Sequence, residues 1–186
     1  MSDTKTETKD ENQPIVLDRM ISLTYTDLLP EHTVRFVERL LDGQIIGRKC
    51  PVCGQVYAPP KGYCGVDVVA LLPEHEVDVD DVGTVTGYTV ITPVRYYGQT
   101  KTEPFIYASV LLDGADTPLG GQEISGIPID QVRTGLRVKA NWKPVDERSG
   151  EGQSTRGWGS VEGCIETFEW TGEPDAAYET YQEHVA

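Results

Sequence analysis

Hydrophobic positions are spread unevenly along the 186 residues. Residues 1–18 are charged and polar without periodicity, which predicts a disordered arm. Across the segment 19–44 the pattern changes. Val34, Phe36, Val37, Leu40 and Leu41 recur at helical spacing, led in by Pro30-Glu31-His32-Thr33 and followed by Gly43, so a short amphipathic helix is expected over 31–42. Its apolar stripe needs a surface, either on its own domain or on a partner chain. Ile45-Ile46 and Val56-Tyr57 then read as two short strands. From about Asp80 onward the chain reads as β-structure, with strands expected at 82–91, 105–112, 122–129, 136–142 and 163–170. Five strands with glycines near their entries predict a mainly β chain whose 80–170 region is a five-stranded OB-fold barrel. A β-sandwich is the runner-up. Residues 144–159 are polar and Gly/Ser/Glu-rich and predict a mobile loop. The C-terminal tail, 171–186, carries Tyr178, Tyr181 and acids, and reads as a frayed helix or a partner-binding segment.

The cysteines change this picture. Three of the four fall in KCPVCGQVYAPPKGYCGVD, at 50, 53 and 64; the fourth is Cys164. No export signal precedes them, so a metal or redox reading outweighs a disulfide framework. Cys50-Pro51-Val52-Cys53-Gly54 is a zinc knuckle, in which Gly54 takes the positive φ that turns backbone N–H groups toward the thiolates. Cys64-Gly65-Val66-Asp67 is a second knuckle with aspartate where a four-cysteine ribbon has its last thiolate. Carboxylate oxygen ligates zinc, so three thiolates and Asp67 form a reasonable set, one that holds zinc less tightly than four thiolates. Residues 45–72 thus read as a zinc ribbon, and the expected cofactor is structural Zn2+. Three other readings stand beside it: a fourth ligand from His75, Cys164 or water; a redox Cys50–Cys53 pair, for which the βαβ context is missing; or a loop that has lost its metal. Cys164 itself sits in a strand-like alternation and reads as a small buried apolar residue.

Composition narrows the function. The formal charge is -14, which disfavours partners recognised through phosphates, whether duplex nucleic acid or an anionic membrane surface. No apolar run is long enough to cross a membrane, and MSDTKTETKDENQP is not a signal peptide, so a cytoplasmic protein is expected. His32, His75 and His184 read as isolated surface histidines, with no nucleophile nearby. No P-loop, dinucleotide fingerprint or HExxH is present, and catalytic residues are therefore expected to be none. The run Glu74–Asp81 lacks the spaced ligands of a calcium loop and reads as a solvated acidic connector. An OB barrel with Tyr96, Tyr97 and Tyr107 as stacking platforms is the basis of an alternative, a stand-alone module binding single-stranded nucleic acid or another ligand, although Arg95 and Lys101 are the few cations near them.

Taken in order, the helix leading into LLDGQIIGRKCPVCGQVYAPP, the second half-knuckle, GTVTGYTVI and PFIYASVLLDGADTPL resemble a known bacterial and archaeal family. These are OB-fold proteins with a rubredoxin-like zinc ribbon, associated with acyl-CoA enzymes. The resemblance runs from about Phe36 to Trp142. It implies a non-catalytic, zinc-containing small subunit that binds and stabilises a thiolase-like large subunit in a hetero-oligomer, the partner supplying the chemistry of carbon–carbon bond cleavage or formation beside a CoA thioester. The family includes subunits of archaeal acetoacetyl-CoA thiolase complexes, of steroid side-chain aldolases and of the benzoylsuccinyl-CoA-type thiolase of anaerobic toluene breakdown. Some relatives are fused to a hydratase, and a free-standing small subunit is expected here. The ligands that the resemblance carries over are Cys50, Cys53 and Cys64; Asp67 is a departure, standing where many members have a cysteine, and leaves the identity of the fourth ligand open. Arg48, Lys49, Lys61, Arg95 and Lys101 are the cations to test for contact with CoA phosphates.

Overall fold

The computed structural model describes residues 21, 23, 28–92, 101–151 and 160–185. The arm at 1–18, Arg95, Tyr96, Tyr97 and the second half of the expected loop at 144–159 lie outside the described residues.

The helix forms where the apolar spacing placed it. Helix α1 spans Glu31–Leu41, buries Phe36, Val37 and Leu40, and stops at Gly43, whose φ of +80° a side chain would resist. Three strands follow in a small antiparallel sheet of order β2-β1-β3: β1 Ile45–Lys49, β2 Val56–Tyr57 and β3 Glu76–Val79. Strand β3 corrects the expected solvated connector. The run alternates Glu76-Val77-Asp78-Val79, which turns the two valines toward the core and the two carboxylates toward α1. There Arg35 meets Glu76 at 3.0 Å and Arg39 meets Asp78 at 3.1 Å. The negative charge that suggested solvation is balanced by arginines from the preceding helix.

The remaining strands close a barrel: β4 Val82–Ile91, β5 Phe105–Leu112, β6 Leu119–Ser125, β7 Arg137–Trp142 and β8 Ile165–Trp170. Their order is β4-β5-β6-β8-β7, with β7 paired back to β4 and the β6–β8 pair parallel. This is the OB arrangement, and closure excludes the sandwich. Strand β5 alternates between half-buried and buried along its whole length, as a barrel strand must. Two strands differ in extent from the sequence reading. Strand β6 starts at Leu119 and ends at Ser125, because Gly126 turns to φ +76° and Pro128 has no N–H to offer a ladder. Before β8, Val161–Gly163 winds into a 3-10 turn, so the strand begins at Ile165.

One apolar core runs through both sheets. Phe36 and Leu40 of α1, Ile45 and Ile46 of β1, and Val56 of β2 share a buried cluster with Val85, Val110, Leu112, Leu136, Val138, Ile165 and Phe168 of the barrel. The turn after β5 adds polar fastening. Val56 N–H donates to Asp116 Oδ2 at 2.7 Å, Asp116 N–H returns to the Val56 carbonyl at 2.8 Å, and the Thr117 hydroxyl both accepts from Ala58 N–H at 2.9 Å and donates to its carbonyl at 3.0 Å. The LLDGADT stretch is therefore the mount by which the barrel grips β2.

The C-terminal segment is neither frayed nor free. Asp175 forms a two-pronged pair with Arg133 at 2.6 and 2.8 Å, Ala176 N–H donates to the Gly135 carbonyl at 2.8 Å, and Tyr181 is buried against Gly135. No helix among the described residues is long and apolar enough to cross a membrane.

Candidate metal centre

Beyond β1 the chain makes two tight turns, 51–53 and 65–67, each opened by a buried cysteine. The turns are backbone copies of one another. Gly54 N–H donates to the Cys50 carbonyl at 3.0 Å and Val68 N–H to the Cys64 carbonyl at 3.1 Å. Cys50 N–H reaches the Gln55 carbonyl at 2.8 Å and Cys64 N–H the Val69 carbonyl at 2.9 Å. In both, the N–H two residues on points at the cysteine sulfur, from Val52 and from Val66, at 3.4 Å. The strand pair Lys49–Val56 is matched by the bridge Tyr63–Ala70. By this correspondence Asp67 occupies the place of Cys53, and Val68 the place of Gly54.

The copies bring Cys50, Cys53, Cys64 and Asp67 together, with all four ligand atoms within 4.8 Å of one another. Whether a metal fits can be tested on the donor spacing. Tetrahedral zinc with Zn–S near 2.3 Å needs sulfurs about 3.8 Å apart, and sulfur and carboxylate oxygen about 3.6 Å apart. The Cys53 and Cys64 sulfurs stand 3.7 Å apart, while Asp67 Oδ2 is 3.3 Å from Cys50 Sγ and 3.5 Å from Cys64 Sγ. The residues fit.

The electrostatics agree with a site for a cation. The Asp67 carboxylate, accepting from Cys53, pushes that thiol up to about 12, and the same contact holds the Asp67 carboxyl below its ordinary value. Burial opposes a Cys64 thiolate, but N–H donation from Asp67, the Tyr57 hydroxyl and the Val66 N–H outweigh it and bring the thiol down to about 7. Metal-free, the cluster crowds acidic groups that cannot all carry charge; a divalent ion resolves that crowding. Tyr57 supports the centre from behind. Its hydroxyl accepts from Gly65 N–H at 2.9 Å and shares its single proton between Gln55 Oε1 at 2.7 Å and Cys64 Sγ at 3.3 Å.

The other candidates fall elsewhere. His75 Nδ1 accepts from Leu72 N–H at 3.0 Å, and neither His75 nor Cys164 joins the cluster. Cys164 is buried, and burial pushes its thiol up. Among the cations, Arg48 is 4 % exposed and donates internally to the Leu71 carbonyl at 2.7 Å and to Glu31 at 2.6 Å. Lys49 and Lys61 are exposed on the ribbon, whereas Lys101 pairs with Glu123 and lies over the Phe105 ring, its nitrogen 4.5 Å from the centroid. Sequence reasoning missed Tyr57, Asp116 and Val68. Only Val68 left a signal, since aligning the two knuckles places it on the glycine position.

The fold and this cluster define the class, an OB-fold barrel carrying a small ribbon with a thiolate-rich donor set. Residues 76–143 match the family described as ChsH2, C-terminal OB-fold domain. That stretch takes in β3 and the first four barrel strands and stops before β8, and it overlaps the motifs on which the sequence resemblance rests. Similar solved structures include these two. A protein of unknown function from the DUF35 family of Sulfolobus solfataricus is 24% identical with a TM-score of 0.48, covering 59% of this chain and 77% of that chain. The structure described as "Ltp2-ChsH2(DUF35) aldolase" is 20% identical with a TM-score of 0.50, covering 65% of this chain and 91% of that chain. The latter likeness extends to the fold alone. None of the curated proteins matches the chain.

Proposed function

We propose that this chain is a non-catalytic, zinc-containing small subunit that binds and stabilises a thiolase-like acyl-CoA enzyme. The observation that carries the reading is the ChsH2-type OB domain joined through β3 and the Asp116 mount to a ribbon whose donor spacing fits zinc. The solved relative described as an aldolase made with ChsH2 supports it, because there the same fold accompanies an enzyme acting on carbon–carbon bonds. In this reading zinc is held by Cys50, Cys53, Cys64 and Asp67 and serves shape rather than chemistry. The bound ion neutralises the crowded donors and fixes the two knuckles against β1 and β2. The catalytic residues belong to the partner, and Lys49 and Lys61 are the exposed ribbon cations nearest to a role in CoA phosphate contact.

The test is affinity capture of the tagged chain from its native extract, with metal analysis of the same sample. A thiolase- or aldolase-like protein in the eluate and about one zinc per chain are expected. Turnover of acyl-CoA thioesters by the purified chain alone would contradict the accessory role. Micromolar binding of single-stranded oligonucleotide with a steep salt dependence, and no enzyme captured, would favour the binding-module alternative.

A further inference from the structure

The two knuckles share a backbone but not the residues it asks for. Each places a residue in the left-handed region directly after its second ligand, Gly54 at φ +79° and Val68 at φ +57°. Glycine adopts that conformation freely. Valine, with two branches on Cβ, is among the residues least suited to it. Nothing at Val68 repays the misfit, since its side chain is 78 % exposed and gains no burial. Immediately before it stands Asp67, the one oxygen donor among sulfurs, whose Oδ2 meets Cys50 and Cys64. Two of the other donors are better secured by burial, and the third, the exposed Cys53, sits in a turn without that strain. Cys64 is buried under the Tyr57 hydroxyl and two N–H groups, Cys50 is buried beside β1, and Cys53 rides on the unstrained glycine turn.

We propose that the second knuckle is the releasing half of the metal centre. Asp67 detaches first, strain at Val68 favours that detachment, and the chain hands its zinc to competing chelators faster than an unstrained four-thiolate ribbon would. The inference rests on the reading that the cluster holds zinc. It adds a regulatory property, since metal occupancy then follows the zinc supply around the protein, and with it the rigidity of the ribbon fixed to β2.

The test uses the full chain loaded with zinc and mixed with an excess of a chromophoric chelator, following metal transfer over time. Val68→Gly leaves every donor in place and is expected to slow transfer about tenfold, the factor corresponding to relief of a left-handed branched residue. Asp67→Cys is expected to slow it further, and its cobalt-loaded form to gain thiolate-to-metal charge-transfer absorbance over wild type. Transfer at the wild-type rate in Val68→Gly would overturn the strain argument even if Asp67→Cys fails to fold. An unchanged cobalt spectrum in folded Asp67→Cys would remove position 67 from the coordination sphere and overturn the proposal. A chain that takes up no metal would overturn it together with the zinc reading. No partner enters the assay, so each result stands apart from the capture experiment.

Discussion

The barrel and the knuckles of the ribbon are held together by different physics. Around Val85, Val110, Leu136, Val138 and Phe168 the barrel builds a continuous apolar core, and its ladder closes on itself so that each strand has neighbours on both sides. The knuckles have a second, much smaller cluster of Cys50, Tyr57, Cys64 and Leu71, in which two of the four buried side chains are metal-ligand candidates. Remove the apolar contacts and the barrel fails; the knuckles have little beyond their cluster of candidate ligands. The boundary between the two regimes falls inside the segment 45–72. Strands β1 and β2 face the main core, so the ribbon's sheet belongs energetically with the barrel and only the turns rest on the donor cluster.

The sharpest way to break this comparison is to remove a ligand. Cys64→Ala should abolish stoichiometric metal uptake, forfeiting binding free energy on the order of 10 kcal/mol, while the near-ultraviolet signal of Trp142 and Trp170 in the barrel persists. Metal analysis and circular dichroism of the same preparation check both halves. The converse change is Phe168→Ala, a fully buried ring exchanged for a cavity. It should cost about 3–5 kcal/mol in denaturant unfolding and leave zinc stoichiometry intact in the folded fraction. Asp116→Ala probes the mount. It deprives Val56 N–H of its acceptor, and a loss of about 1–3 kcal/mol is expected, with faster amide exchange at Val56 and Ala58 than in the barrel strands.

The smallest effect concerns pH. His32 packs against Gly62 between the knuckles, and burial, reinforced by the positive charge of Arg48, lowers its pKa below 6.5. A histidine depressed in the folded state takes up its proton more readily when unfolded. Its contribution is thus present above pH 6.5 and is lost as pH falls through the folded value. His32→Gln should flatten the decline of unfolding free energy on the acid side of 6.5 without changing the neutral plateau.

Much of this was legible in the residues. The 3.6 spacing of Phe36, Val37 and Leu40 and the alternation of β5 and β7 carry their elements directly, because each has one face in the core. The spacing of Cys50, Cys53 and Cys64 carries the donor cluster, and the second turn, 65–67, brings Asp67 in. What escaped depends on contacts across the fold. Glu76–Val79 reads as an acidic connector until Arg35 and Arg39 are set beside it. Arg48 looks like a free cation until Glu31 and Leu71 close over it. Asp116 lies 60 residues from the backbone it holds, and no local pattern announces such a bond.

On the proposed zinc reading, the barrel stands without metal and the knuckles do not. Hydrogen–deuterium exchange on the full chain, metal-loaded and after chelation, tests it most directly. The expected result is loss of protection confined to the knuckles at 50–55 and 64–69, with the strands of 82–91, 105–112 and 137–142 unchanged. Protection lost across the barrel as well, or retained in the knuckles after the metal is gone, would contradict it.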